Sequence, residues 1–165
     1  MEIVTVIIRG ETMKTYHYTE CGLNNIYLLN GYKCIQTSRG KAVSINDLDG
    51  LHRAIGLFLV TSKKALSGEE IRFLRHELLM SQNTLAKLLG VSEQAIHRWE
   101  KGKINMPKPS ESLLRLLYRE HVHQIGHNKD GKISTMLKEI ADLEERNNHN
   151  ELIFKDTSKG WKSAA

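Results

Sequence analysis

The chain has 165 residues, 40% of them hydrophobic, and a net charge of +5 from 24 Lys or Arg against 19 Asp or Glu. That length allows one domain with appendages or two small ones, and the composition is enough for a packed core. No apolar run is long enough to span a bilayer, the amino terminus lacks a signal-peptide layout, and the two cysteines make no disulfide framework. Nothing therefore suggests a membrane protein, and a cytoplasmic, reducing compartment is expected.

Residues 1–62 read as a small β-rich module ending in a helix. Ile3 to Ile8 is a β-prone run. Ile26 to Ile35 has a hairpin pattern, two short β-prone runs joined by Asn30-Gly31, the pair that best tolerates a type I′ turn. Ala42 to Ile45 offers another strand. Asn46 or Asp47 can then cap a helix in which Leu48, Leu51, Ile55 and Leu59 recur at helical spacing, leaving Thr61 to Lys64 as a linker. His17, Cys21, Cys34 and His52 lack the short paired spacing of structural zinc, so no metal is assigned and the cysteines read as small hydrophobes or surface residues.

Residues 63–121 carry the chemistry. Ser67-Gly-Glu-Glu70 is a capping-box pattern, and Ile71, Leu74, Leu78 and Leu79 predict a helix to about Met80. Ser81 is an N-cap for a helix with Leu85, Ala86, Leu88 and Leu89 on one stripe. Gly90 suits the chain reversal, and Ser92 caps a helix from about Glu93 to Lys101. Ile96 and Trp99 fall on its inward face, leaving Glu93, Gln94, His97 and Arg98 on the other. Gln94 and Arg98 are four apart and project side by side. Glutamine pairs bidentately with adenine, and arginine with guanine, at major-groove edges. Any surface helix carries polar residues. Here, however, the small Ala86, the turn Gly90, the apolar Val91 and Ile96, and the Trp99-Glu100-x-Gly102 ending hold their spacing together, as a DNA-reading helix-turn-helix requires. Beyond Pro107 and Pro109, Ser110 caps a helix whose Leu113, Leu114, Leu116 and Leu117 are expected in the core. Residues 61–121 hold 11 Lys or Arg against 7 acids, a net of +4, so most of the positive charge sits on this segment.

Residues 122–165 form the third segment. His121, His123 and His127 read as part of a solvated connector. Asn128-Lys-Asp-Gly131 copies the middle of a calcium loop, but Gly126 and Leu137 would stand at its first and twelfth ligand positions, so there is no cage. An extra helix over Ser134 to Arg146, with Met136, Leu137, Ile140, Ala141 and Leu143 on one face, needs a dimer partner or the β module to cover it. Leu152-Ile-Phe154 and Trp161 predict a terminal strand or hairpin added to the amino-terminal sheet. No P-loop, dinucleotide fingerprint, nucleophile elbow or metalloprotease helix is present, which argues against an enzyme. Aromatics at 6% do not make the stacking platform of a single-strand RNA binder.

From Leu66 to His121, on the residues just named, the sequence resembles the Cro/C1-type (XRE) helix-turn-helix family. The resemblance implies a five-helix domain and a DNA-contacting set of Gln82, Ser92, Glu93, Gln94, His97 and Arg98, with Lys101 and Lys103 on phosphate. It also implies that Arg75 and Glu100 form a buried ion pair of structural role. The acid at Glu93 departs from the family's preference for an amide or hydroxyl; it would repel phosphate, though it could accept from cytosine N4. A β module followed by Arg98-Trp-Glu-Lys-Gly102 and a Pro109-Ser110 helix start is similar to the MqsA (YgiT) class of antitoxins, which join a zinc-binding, toxin-neutralising module to a dimeric DNA-binding domain that represses its own operon. The two Cys-x-x-Cys pairs of that class are replaced here by single Cys21 and Cys34, so neither zinc nor any other cofactor is expected. The expectation is an α+β protein acting as a homodimeric repressor on a palindromic double-stranded DNA operator. The alternative is an antitoxin whose amino-terminal module binds a cognate toxin.

Overall fold

The computed structural model describes residues 2–8, 11–38, 40–125 and 152–163. The fold is α+β, with five helices and seven strands among those residues. The chain divides into two compact units, one of Met1–Ala54 with His149–Ala165 and one of Ile55–Asn148. The helix expected over Ser134 to Arg146 lies outside the described residues, as do His127 and the Asn128–Gly131 turn.

The first unit is built on a five-stranded sheet. Strands β1 (Glu2–Ile8) and β2 (Glu11–His17) form an antiparallel hairpin, and β2 continues onto β3 (Ile26–Leu28). The terminal strand does join this sheet. Strand β6 (Leu152–Thr157) lies parallel to β3, with Ile26 opposite Leu152 and Leu28 opposite Phe154, and β7 (Gly160–Ser163) returns antiparallel along β6. Leu152, Ile153 and Phe154 are all buried, as an uninterrupted apolar run in an inner strand should be. Tyr16, Tyr18, Leu23, Ile26, Leu28, Leu51 and Trp161 complete this core.

The hairpin expected over Ile26 to Ile35 does not form. Strand β4 (Tyr32–Thr37) pairs only with β5 (Gly40–Ile45), in a separate two-stranded sheet, while β3 pairs with β2 and β6. The reason lies in what Asn30-Gly31 meets. Asn30 Nδ2 donates to the Asp156 carbonyl at 3.1 Å and its Oδ1 accepts from the Asp156 amide at 2.5 Å, extending the β3–β6 ladder by a side chain. Gly31, at φ +76, turns the chain toward the second sheet with no room for a side chain, since a Cβ there would stand 2.4 Å from the Trp161 ring. The long-range partner β6 thus takes the place of the local hairpin.

Helix α1 (Leu48–Ser62) starts where Asp47 Oδ1 accepts from the Gly50 amide at 3.1 Å, and it runs through Thr61 and Ser62, shortening the expected linker. The boundary between the units falls within it. The second unit holds the rest of α1 with α2 (Gly68–Glu77), α3 (Gln82–Leu89), α4 (Glu93–Glu100) and α5 (Lys108–Ile125). Ile55, Leu59, Ile71, Phe73, Leu74, Leu85, Ile96, Trp99, Leu114 and Tyr118 are buried there.

Two boundaries differ from the periodicity. Helix α2 ends at Glu77, and Leu79 takes a left-handed φ of +55 with 91% of its surface exposed, so it is not a core residue. Helix α5 begins at Lys108, ahead of Ser110, with Pro109 in the first turn, where its missing N–H costs nothing. Its buried face is Glu111, Leu114, Arg115 and Tyr118, while Leu113 is 36% exposed. Arg115 is 1% exposed and ties the unit together: Nη1 donates to the Leu59 carbonyl at 2.8 Å, Nη2 to the Lys63 carbonyl at 2.9 Å, and Nε to Glu111 Oε1 at 2.9 Å. A leucine stripe hid this polar core because an i,i+4 Glu–Arg pair looks the same on a solvated face.

Candidate nucleic-acid interface

Each short helix of the site is fixed by a serine cap. Ser81 accepts from the Thr84 amide at 3.0 Å to start α3, and Ser92 accepts from the Ala95 amide at 3.2 Å to start α4. Between them Gly90 is left-handed at φ +66 and closes α3. The two helices pack through Leu85 and Ala86 on α3 and Ile96 and Trp99 on α4, all at most 3% exposed.

With Ile96 and Trp99 buried, Glu93, Gln94, His97 and Arg98 are exposed along the opposite side of α4. Lys101 and Lys103 are exposed just past its end. Glu93 is engaged within the protein, since Asn83 Nδ2 donates to its Oε2 at 3.4 Å across the turn. Ser92, as the cap, is exposed at the start of the helix.

Beneath this face lies the ion pair. Arg75 donates from Nε to Glu100 Oε1 at 2.6 Å and from Nη2 to Oε2 at 3.1 Å, and a third guanidinium nitrogen reaches the Met80 carbonyl at 2.8 Å. Gln82 Nε2 donates to Glu100 Oε2 at 2.7 Å, so this half-buried glutamine also helps fix α3 against α4. Burial by itself raises the Glu100 carboxyl pKa. The hydrogen bonds from Arg75 and Gln82, with the charges of Arg75 and His76, outweigh burial and hold it below the ordinary value.

Over the pair opens a cavity of about 240 Å³ lined by Arg72, Arg75, His76, Gln82, His97, Glu100 and Lys101. Arg72 and His76 were missed in the sequence. They sit three before and one after Arg75 on α2, so pairing Arg75 with Glu100 would have pointed to them. Arg75 Nη2 lies 3.3 Å from His76 Nε2, and because a guanidinium only donates, the imidazole accepts. Desolvation, then the charges of Arg75 and Arg72, pull the His76 pKa below its ordinary value against the smaller pull of Glu100 and Glu77. With Arg75 balanced by Glu100, the charges of Arg72 and Lys101 leave the lining of the cavity net positive.

Residues 71–114 match the helix-turn-helix family model, so the chain carries a helix-turn-helix domain of the XRE type. Across 71 residues the chain is 32% identical to a protein of Pyrobaculum aerophilum whose name places it with HTH-type transcriptional regulatory proteins. The match covers 42% of this chain and 28% of that protein, so the chain spans well under two thirds of its relative. No solved structure matches the chain. Among the described residues no helix is long and apolar enough to cross a membrane.

Proposed function

We propose that the protein is a transcription regulator that binds double-stranded DNA in a sequence-specific manner, as a homodimer that represses from a palindromic operator. The observation that carries this reading is α4. Its buried Ile96 and Trp99 leave Gln94, His97 and Arg98 on one exposed face, and the recess, with the cations Arg72 and Lys101 in its lining, lies beside it. In this reading α4 enters the major groove, Gln94 and Arg98 read base edges, and Gln82, Lys101 and Lys103 with the recess hold phosphate. Ser92 lies at the groove-facing start of the helix. Glu93, which accepts from Asn83 at 3.4 Å, would in this reading accept from a cytosine amine. Two copies would place their α4 helices in half-sites about one helical turn apart.

A narrower form of the proposal makes the chain an antitoxin-like regulator of its own operon, its β-rich unit covering a toxin. What supports it is the order of a small β unit before the helix-turn-helix domain. Co-purification of the tagged protein with the product of an adjacent gene tests the antitoxin step. Selection of bound duplexes from a random pool tests the DNA step, with an inverted repeat expected.

A further inference from the structure

Strands β4 and β5 make a two-stranded ribbon that pairs with no other strand among the described residues. Its register places residues 33, 35, 42 and 44 on one face and 34, 36, 41 and 43 on the other, with Lys33 opposite Ser44 and Gln36 opposite Lys41. Every residue from Lys33 to Ser38 is exposed, Ile35 at 47%, and so are Ala42 and Ser44. An isolated two-stranded hairpin is marginal in water, and this one gains little from packing beyond its base.

The base is held firmly. The Asn46 amide donates to the Gly31 carbonyl at 2.8 Å, and the Trp161 indole Nε1 reaches the Asn46 and Asp47 carbonyls at 3.0 and 3.1 Å. Tyr32 stands against Tyr16 with ring centroids 5.3 Å apart. The ribbon is thus an arm with a fixed root and a largely exposed β4 strand, and six residues of strand reach roughly 20 Å.

Its charge is one-sided. From Cys21 to Asn46 the sequence has Lys33, Arg39 and Lys41 and not one Asp or Glu. We infer that the β4–β5 ribbon is a second DNA-contacting element, which lies along a duplex groove and places Lys33 and Lys41 against phosphates. The major groove admits a two-stranded ribbon as readily as a helix, and an arm without acids meets no repulsion from either backbone. The choice of duplex DNA over another anionic partner rests on the helix-turn-helix reading. An acidic protein surface is the competitor.

The test uses the full-length protein and a 30-base-pair duplex of arbitrary sequence, titrated over a range of salt. It is run in a background carrying Gln94→Ala and Arg98→Ala, with and without Lys33→Gln and Lys41→Gln. Losing two phosphate contacts should lower the slope of log affinity against log salt by about two. Lys33→Arg with Lys41→Arg should restore it. An unchanged slope in a glutamine variant whose melting matches its parent would overturn the inference and point to the protein partner. Acetylation of the unsubstituted protein needs no variant. Duplex should protect Lys33 and Lys41, and unprotected lysines would overturn the inference as well. If the helix-turn-helix reading fails instead, Lys101→Gln with Lys103→Gln leaves the slope unchanged and selection from a random-duplex pool yields no inverted repeat, while the ribbon substitutions still lower the slope.

Discussion

Arg75 of α2 and Glu100 of α4 meet as a buried, two-pronged ion pair, Nε on Oε1 at 2.6 Å and Nη2 on Oε2 at 3.1 Å, directly beneath the exposed face of α4. The pair sets the angle at which the end of α4 is held. Removing one partner strands the other charge out of water, so Arg75→Ala should lose about 3–5 kcal/mol of stability in urea unfolding. Arg75→Met combined with Glu100→Leu should lose far less than the two single changes added together, because no charge is left behind. Additive losses would show that the pair is not coupled.

The same carboxylate sets an acid limit. Because the Glu100 pKa is depressed in the fold, its contribution to stability is present above its unfolded value, about 4.3, and is lost as pH falls through the lower folded value. Melting temperature should drop on acidification below about pH 4.5, and Glu100→Gln should flatten that drop while lowering stability at neutral pH. An acid limb as steep in Glu100→Gln as in the parent would assign it to other groups.

His76 works with the opposite charge. Its pKa is lowered, so the folded chain holds fewer protons there than the unfolded chain near pH 6.5, and this residue stabilises less as pH falls through that range. A phosphate in the recess would raise the pKa again, so DNA binding should take up a proton and tighten as pH falls from about 7.5 to 6. His76→Gln should remove most of that trend in a fluorescence-anisotropy titration. A trend that survives the substitution would place the proton elsewhere.

Leu79 is a bulky side chain in a left-handed turn with 91% of its surface in water, so it bears strain without gaining burial. A left-handed conformation costs an L-residue roughly 1–2 kcal/mol, and glycine returns part of this as extra freedom in the unfolded chain. Leu79→Gly should therefore raise stability by a few tenths to about 1 kcal/mol, whereas Leu79→Ala should not. Equal midpoints for the glycine and alanine variants would contradict this.

The helix-turn-helix was legible because its signals are local. Ser81, Gly90 and Ser92 act within three residues of themselves, and Ile96 and Trp99 announce one face of one helix. What misled was also local. Asn30-Gly31 favours a hairpin only where nothing else competes, and here Asp156, 126 residues away, takes the Asn30 amide. Leu79 and Leu113 keep the helical period, yet a left-handed turn moves the first out of its stripe and the buried Arg115–Glu111 pair takes the core position that the second was expected to fill. The recess was half visible: Gln82, His97 and Lys101 lie in or beside the motif, while Arg72 and His76 belong to a helix whose packing no spacing rule gives.

The base-reading face of α4 is tested most directly by selecting bound sequences from a random-duplex pool, first with the full-length protein and then with Gln94→Ala and Arg98→Ala together. An inverted repeat should emerge with the parent and vanish with the double variant, each single change costing about 1–3 kcal/mol at its own base position. Lys103→Ala should weaken all duplexes alike and lower the salt slope by about one. No enriched sequence from the folded parent, or the same repeat from the double variant, would contradict a DNA-reading role for α4.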